Sequence, residues 1–381
     1  MNEGILWQGI HVCVESRCSD CGSEIIEDLK IGTAIYAPFQ ADLRKGLLFG
    51  DSEYETWFGI PLLKSLQHPQ KEAKVKFEVE KFREAREVII LNCIDFLYGH
   101  SLLKLLNAEH HLKEHSNFGL VVIIPSFLRW MVPEGVAEIW SVDISLSKAK
   151  NYSPDLDRQI KRECERFSAV YVSSAYLLPK NFDISKFTRI AKHDFSAEDF
   201  RITFVWREDR LWWPHNRSLG LIRKLKLNGI ILRQQNAKIR RLFSLLRHDF
   251  PKAKFTIVGV GKKTRFSAWI EDKRVNRYTN ELEKLVCQTY SESRLIIGVH
   301  GSNMLLPSGH AGMTIDLMPV VRWGNFAQDI LYQEEDNRMS SYKYRFLPVS
   351  TTPKLLAVIA STQLKDYEKY RNHVVPIPTN L

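Results

Sequence analysis

The sequence predicts an α/β protein of two Rossmann-like halves, and three observations carry that reading. At 381 residues the chain exceeds the size at which one hydrophobic core stops growing. Its short β-branched segments are continuous apolar runs rather than alternating ones, as strands covered on both faces require. Helical periodicity fills the intervals between these runs on both sides of Glu198, which implies two sheets, each with its own helices.

The strands are expected at Val88–Ile94, Leu120–Ile124, Glu138–Val142, Ala169–Ser173, Ile202–Trp206, Phe255–Val260, Leu295–Val299 and Met313–Leu317. Between them, Ser153-Pro154 reads as N-cap and first helical residue of a helix through Phe167. Ile239, Leu242, Phe243 and Leu246 fall at i, i+3, i+4, i+7 and give one apolar stripe on a basic helix. Leu282, Leu285 and Val286 repeat the pattern ahead of Leu295–Val299. Lys74–Glu80 alternates like a strand, yet its charge looks helical. The polar stretch His193–Asp199 places the division near 195, giving domains 1–195 and 196–381.

Hydrophobic residues make up 44% and charged residues 26%, which sets aside disorder and fibrous repeats. No apolar run approaches the ~20 residues that span a bilayer. The start, Met1-Asn2-Glu3-Gly4, lacks the basic and apolar regions of a signal peptide, so the expected location is the cytoplasm. A formal net charge of +10 favours anionic partners, including peripheral contact with an anionic membrane. The basic residues cluster between Lys224 and Arg277.

Six cysteines are present. Cys13, Cys18 and Cys21, with His11, offer a conceivable zinc set, although structural sites usually pair two knuckles; free loop thiols are the plainer reading. His110, His111 and His115 could share a helical face but lack an accompanying carboxylate motif. Asp155-Leu-Asp157 follows Pro154 in a helix's first turn, where carboxylates favour the dipole. No metal and no cofactor are therefore expected.

Three strand ends carry chemistry. Phe255–Gly261 is an apolar strand ending in glycines; it lacks the Ser/Thr of a Walker A after Lys262 and the third glycine of the dinucleotide fingerprint. Gly259 lets a ligand approach the backbone, or merely makes a tight turn. At His300-Gly301-Ser302-Asn303 a buried strand runs into small and polar residues before a short apolar helix, a start that binds phosphate through unsatisfied N–H groups or is simply a capped helix. Past Ile202–Trp206, Arg207 and Arg210 present guanidinium forks suited to phosphate, or pair with Glu208 and Asp209 as a surface cluster.

The order VWREDR, IVGVG, IIGVHGSNMLLPSG and MTIDLMP resembles the donor half of GT-B glycosyltransferases, two Rossmann-like domains facing across a cleft. It is most similar to family sixty-one, the xylosyl- and N-acetylglucosaminyltransferases, with their HGAGLTN-like loop. His300, Gly301 and Asn303 match, Asp316 stands at the family's acidic position, and the chain departs in lacking the second glycine. The resemblance covers Arg201 to Tyr332. It implies a nucleotide-sugar donor with Arg207 and Arg210 on the pyrophosphate, Gly259 and Val260 at the base, and His300, Gly301, Ser302 and Asn303 over the phosphates. It also implies a glycan, lipid-linked or protein acceptor on the N-terminal side, and a helix within Lys354–Tyr370 packing back across the junction.

Sugar transfer needs a stabilised diphosphate leaving group, which positive charge and helix-terminal N–H groups supply without metal. An inverting transfer also needs a base. Val88–Ile94 delivers Asp95 and His100 to its end, where either serves as catalytic base or as helix cap and core histidine; Glu134 and Asp143 are the fallback. Two other classes stay open. One is a nucleic-acid-binding protein using the basic face, against which the aromatics there read as core. The other is a non-catalytic sugar-nucleotide binder of the same fold.

Overall fold

The computed structural model describes residues 4–31, 38–70, 74–175, 179–214, 228–262, 264–334 and 336–374. The chain forms two compact units, Met1–Phe187 and Thr188–Leu381. The first part of the basic segment, 224–227, lies outside the described residues.

The first unit opens with an antiparallel meander: β1 Ile5–Trp7, β2 Val12–Arg17, β3 Glu24–Asp28, β4 Gln40–Asp42 and β5 Leu47–Phe49. A second sheet takes β6 Phe77–Lys81, β7 Glu87–Asn92, β8 Gly119–Pro125, β9 Glu138–Val142 and β10 Ala169–Val172 in the order β10-β7-β8-β9-β6. Four of these strands are parallel and β6 runs antiparallel on the edge. All seven residues of β8 are buried, the both-faces coverage that its unbroken apolar run foretells. β6 settles the ambiguous Lys74–Glu80 stretch as an edge strand, with Glu80 forked by Arg129.

Trp7, Ile10 and Val12 of the meander share a core with Val88, Ile90, Trp140 and the helix Pro154–Cys164. Ser153 caps that helix by accepting from Leu156 N. Asp157 accepts from Trp7 N at 2.8 Å and Asp155 from Val75 N at 3.0 Å, so the Asp-Leu-Asp pair ties the helix to neighbouring chain.

The second unit holds one sheet of six parallel strands: β11 Arg201–Arg207, β12 Lys254–Val260, β13 Ile270–Asp272, β14 Ser293–Val299, β15 Met313–Met318 and β16 Tyr344–Pro348. Their order is β13-β12-β11-β14-β15-β16, the doubly wound order of dinucleotide-binding domains, which reverses between β11 and β14. Ile239, Leu242, Phe243 and Leu246 of the helix Asn228–Asp249 are fully buried, as their spacing predicts.

The helix Asn280–Ser291 turns its Val286, Cys287, Thr289 and Tyr290 inward and leaves Leu285 59% exposed, so its buried face is rotated from the expected Leu282–Leu285–Val286 stripe. The helix Pro353–Lys365 buries Leu356, Ala357, Ala360 and Leu364 in this unit's own core. Around the expected boundary, Phe195 stacks on Tyr367 at 3.9 Å and His193 Nδ1 lies 2.9 Å from Ser291 O, which fastens the polar stretch to the second unit. No helix among the described residues is long and apolar enough to cross a membrane.

Candidate functional site

Ligands of open α/β sheets bind beyond the carboxyl ends of the strands, where the strand order reverses. In the second sheet that place lies between the loops leaving β11 and β14. The loop after β11 is pinned by Trp212, which is buried, donates its backbone N–H to Gln235 Oε1 at 2.8 Å, and donates its indole N–H to Thr351 O. This anchor fixes Arg207 and Arg210 on the same strand end.

The two arginines part company there. Arg207 forks onto Asp209 through Nε at 2.7 Å and Nη2 at 3.0 Å, the surface pairing that sequence left open. Arg210, half-buried, makes no hydrogen bond or ion pair with any described residue. Its Nε and Cζ stand 3.3 Å from where a Cβ on Gly301 would be. Gly301 has φ +148°, and a side chain there would also press on Asn303 Oδ1 at 2.9 Å; the glycine is what lets the guanidinium lie over the loop. Ser302 is exposed and Asn303 half-buried, its Nδ2 donating to Val299 O. The helix after them, Leu305–His310, is only six residues and begins behind a 3₁₀ turn, so Ser302 and Asn303 stand on that turn and not on the expected helix start.

His300 is buried beneath this loop rather than facing out of it. Its Nδ1 lies 2.8 Å from Asp316 Oδ2 and 3.1 Å from Asp329 Oδ2, and Tyr344 donates its hydroxyl to Asp316 Oδ2 at 2.9 Å. Asp316 is fully buried and can act on a ligand only through His300 or Tyr344. Burial raises the carboxyls of both Asp316 and Asp329, the latter to about 6, because His300 offsets only part of the desolvation. The ligand atoms of His300, Asp316 and Asp329 lie within 4.8 Å of one another, the donor set among the described residues that could hold a metal ion. Asp329 carries no motif in the sequence; only the fold brings it to His300.

Gly259 and Val260 serve the sheet. A Cβ on Gly259, at φ +125°, would stand 1.9 Å from Trp206 O, so this glycine admits the neighbouring strand's backbone rather than a ligand. Gly261 likewise accommodates the Trp206 ring. Val260 is half-buried beside them and bridges to Val275.

In the first unit the strand order reverses between β7 and β10, and Asp95 and His100 follow β7. Asp95 is buried, with Lys104 Nζ 3.0 Å from Oδ2 and His100 Nδ1 3.3 Å from Oδ1, the latter out of line for a hydrogen bond. Burial alone would raise the Asp95 carboxyl, but Lys104 and then His100 outweigh it and hold it at about 2. Lys104 is itself fully buried and donates to Ile94 O at 2.8 Å; sequence passed it over as one charge on an apolar helix. The His100 side chain is 24% exposed. The fallback residues Glu134 and Asp143 are both exposed.

The remaining candidates do not assemble. Cys13 is buried on β2 opposite Asp28, away from the turn holding Cys18 and Cys21, and burial pushes its thiol well up. His11 pairs with Asp28 at 3.0 Å. Hydrogen bonding with Ser23, and then with Cys18, lowers the exposed Cys21 thiol to about 7. His111 and His115 stack at 5.6 Å while His110 meets both edge-on, and His111 Nε2 lies 2.5 Å from Ser173 Oγ.

No family model matches the chain, and no curated protein matches it in sequence. Among solved structures it is similar to E. coli ADP-heptose LPS heptosyltransferase II, at 11% identity over 74% of this chain and 99% of that chain, with a TM-score of 0.40. It is also similar to the E. coli heptosyltransferase WaaC with ADP, at 9% identity over 73% and 99%, with a TM-score of 0.40. A third is the dodecameric iron-containing heptosyltransferase TibC of E. coli in complex with ADP-D-β-D-heptose, at 8% identity over 79% and 81%, with a TM-score of 0.35. These likenesses are of architecture, and no substrate passes from them to this chain.

Proposed function

We propose that this protein is a glycosyltransferase whose second unit holds a nucleotide-sugar donor by its phosphates at the carboxyl ends of β11 and β14. One observation carries the reading: Arg210 lies half-buried over Gly301 at the reversal point of a doubly wound sheet, without a partner among the described residues. A half-buried guanidinium with no carboxylate paired to it is stabilised by an anion, and a phosphate fits its fork. The exposed Ser302 and the half-buried Asn303 add polar groups at the same edge. Positive charge at this place would stabilise the leaving diphosphate directly, so the transfer is metal-independent in this reading.

The acceptor, a glycan or a lipid-linked or protein substrate, meets the first unit, and transfer is inverting. Asp95 stays ionised with a carboxyl near 2 and is a weak base, which leaves His100, partly exposed and backed by Asp95, to take the acceptor proton. The same Asp95–Lys104 pair favours a second reading, a sugar-nucleotide binder without turnover, in which the pair is purely structural. The protein works in the cytoplasm, and its charge of +10 suits an anionic membrane surface.

Calorimetry against ADP-, UDP-, GDP-, CMP- and dTDP-sugars tests the reading. At least one should bind, and Arg210→Ala should weaken it by about 1–3 kcal/mol. Unchanged affinity in that variant removes the site. Donor hydrolysis that persists in EDTA and falls about 100-fold in His100→Ala supports turnover; binding with no hydrolysis or transfer supports the second reading.

A further inference from the structure

The turn that joins β2 to β3 carries two cysteines that the proposed function does not use. It runs Cys18-Ser19-Asp20-Cys21-Gly22-Ser23, between the end of β2 at Arg17 and the start of β3 at Glu24. The Cys18 N–H donates to Ser23 O at 2.9 Å, and the Gly22 N–H donates back to Cys18 O at 2.9 Å. The second bond spans four residues, as in an α-helix. Gly22 ends that single turn at φ +67°, the left-handed conformation that closes helical turns without a Cβ penalty. Arg17 Nε donates to Gly22 O at 3.4 Å and holds the turn from the strand. Cys18 and Cys21 therefore stand three apart on one face of a helical turn. Helix geometry puts their Cα atoms roughly 5 Å apart, inside the ~4.4–6.8 Å that a disulfide bridges.

These two thiols differ from the other four. Cys13, Cys93, Cys164 and Cys287 are buried, and burial pushes each of their thiols up. Cys21 is exposed and Cys18 half-buried, and both lie outside the core of their unit. Cys21 Sγ lies 3.3 Å from Ser23 Oγ, which also accepts from Lys45 Nζ at 2.8 Å. The Cys18 side chain hydrogen-bonds to the same sulfur. Ser23, then Cys18 and more weakly Lys45 favour the thiolate, so Cys21 is ionised in good part at neutral pH. A thiolate in solvent with a second thiol one turn away is what thiol–disulfide exchange requires.

We infer that Cys18 and Cys21 form a reversible dithiol–disulfide site that reacts with small-molecule disulfides, a function beyond the sugar transfer proposed above. The Cys21 thiolate attacks one sulfur of the incoming disulfide, so that a mixed disulfide forms and one thiolate leaves. The Cys18 sulfur then attacks Cys21 Sγ, which closes the Cys18–Cys21 bond and releases the second thiolate. The protein pair is oxidised by two electrons, the small disulfide is reduced to two thiols, and the protons of the two cysteines pass to those products. Because the bond closes on an exposed turn, a thiol reaches it again and reduces it, and the couple cycles.

The test takes the full chain, reduced and freed of reductant, through oxidised glutathione at neutral pH, then iodoacetamide and peptide mass spectrometry. The tryptic peptide 18–30 should appear two hydrogens lighter and without alkyl groups, and dithiothreitol should restore both alkylation sites. Cys18→Ser should stop at a glutathione adduct on Cys21. Before oxidation, Cys21 should be alkylated about 10-fold faster or more than any of the four buried cysteines. A wild type that accumulates the glutathione adduct as Cys18→Ser does overturns the site, since the second sulfur then fails to reach the first. So does a folded chain that leaves Cys18 and Cys21 unoxidised while the same chain in urea forms the bridge. The donor site lies in the other unit, so the two proposals stand or fall separately.

Discussion

Two largely parallel sheets in this molecule reverse their strand order, one between β7 and β10 and the other between β11 and β14, and the chain fills the two places with opposite electrostatics. At the first, the charge is neutralised from within: Asp95 meets Lys104 at 3.0 Å, and both are buried. At the second, Arg210 lies half-buried with no carboxylate of the described residues paired to it. The carboxylates beneath, Asp316 and Asp329, are turned to His300 and pushed toward neutrality by burial. Topology thus offers the same opening twice, and side-chain pairing decides which one keeps an unpaired cation.

Breaking the internal pair should have the largest effect. Lys104→Met strands the Asp95 charge in the core and should cost about 3–5 kcal/mol at neutral pH, read by urea denaturation. The sign with pH follows from the depressed carboxyl. In wild type Asp95, at about 2 against an ordinary 3.8, stabilises the fold above pH 4 and loses that contribution as pH falls toward 2. Without Lys104 the slope should reverse, the variant recovering as acid neutralises Asp95. A loss below about 1 kcal/mol with no change of slope would mean the pair does not hold this region.

The second region titrates in the opposite sense. Asp329, raised to about 6, contributes stability that is fully present below pH 4 and lost as pH rises through 6. Asp329→Asn should flatten the stability profile between pH 4 and 7, with a gain of up to ~3 kcal/mol at pH 7. Thermal unfolding across that window checks it, and a profile parallel to wild type would place the titration on another group.

The smallest effect sharpens the contrast within the site itself. Arg207 is held by Asp209, so Arg207→Ala should change nucleotide affinity by less than about 1 kcal/mol, against the larger loss for Arg210→Ala. Equal losses in the two calorimetric titrations would show that Asp209 releases Arg207 to the ligand.

Four strands of the second unit, β11, β12, β14 and β15, were legible because their apolar runs are long and covered on both faces, whereas the partly buried edge strands β13 and β16 were not. The meander was not, because strands of three to six residues with exposed polar positions give no sustained period. The helix Asn280–Ser291 shows a milder failure. Leu285 fits the apolar stripe on paper, but Tyr290 and Thr289 fill the space against the sheet and rotate the buried face past it. Within the site, sequence pointed to Arg207, Arg210, His300 and Asp316 alike, since strand-end position and residue type are all it contains.

By itself the sequence determined the two α/β units, the strand ends at which chemistry collects, and the capped helix after Ser153, because these follow from local periodicity and backbone preference. The tertiary structure decided which groups are free to act. Whether Arg210 lies over Gly301, whether a glycine admits a ligand or the Trp206 carbonyl, and whether a histidine faces out or down onto Asp329 all depend on contacts between segments distant in the chain. Pairing and burial are properties of those contacts, and they set charge and access, on which binding depends.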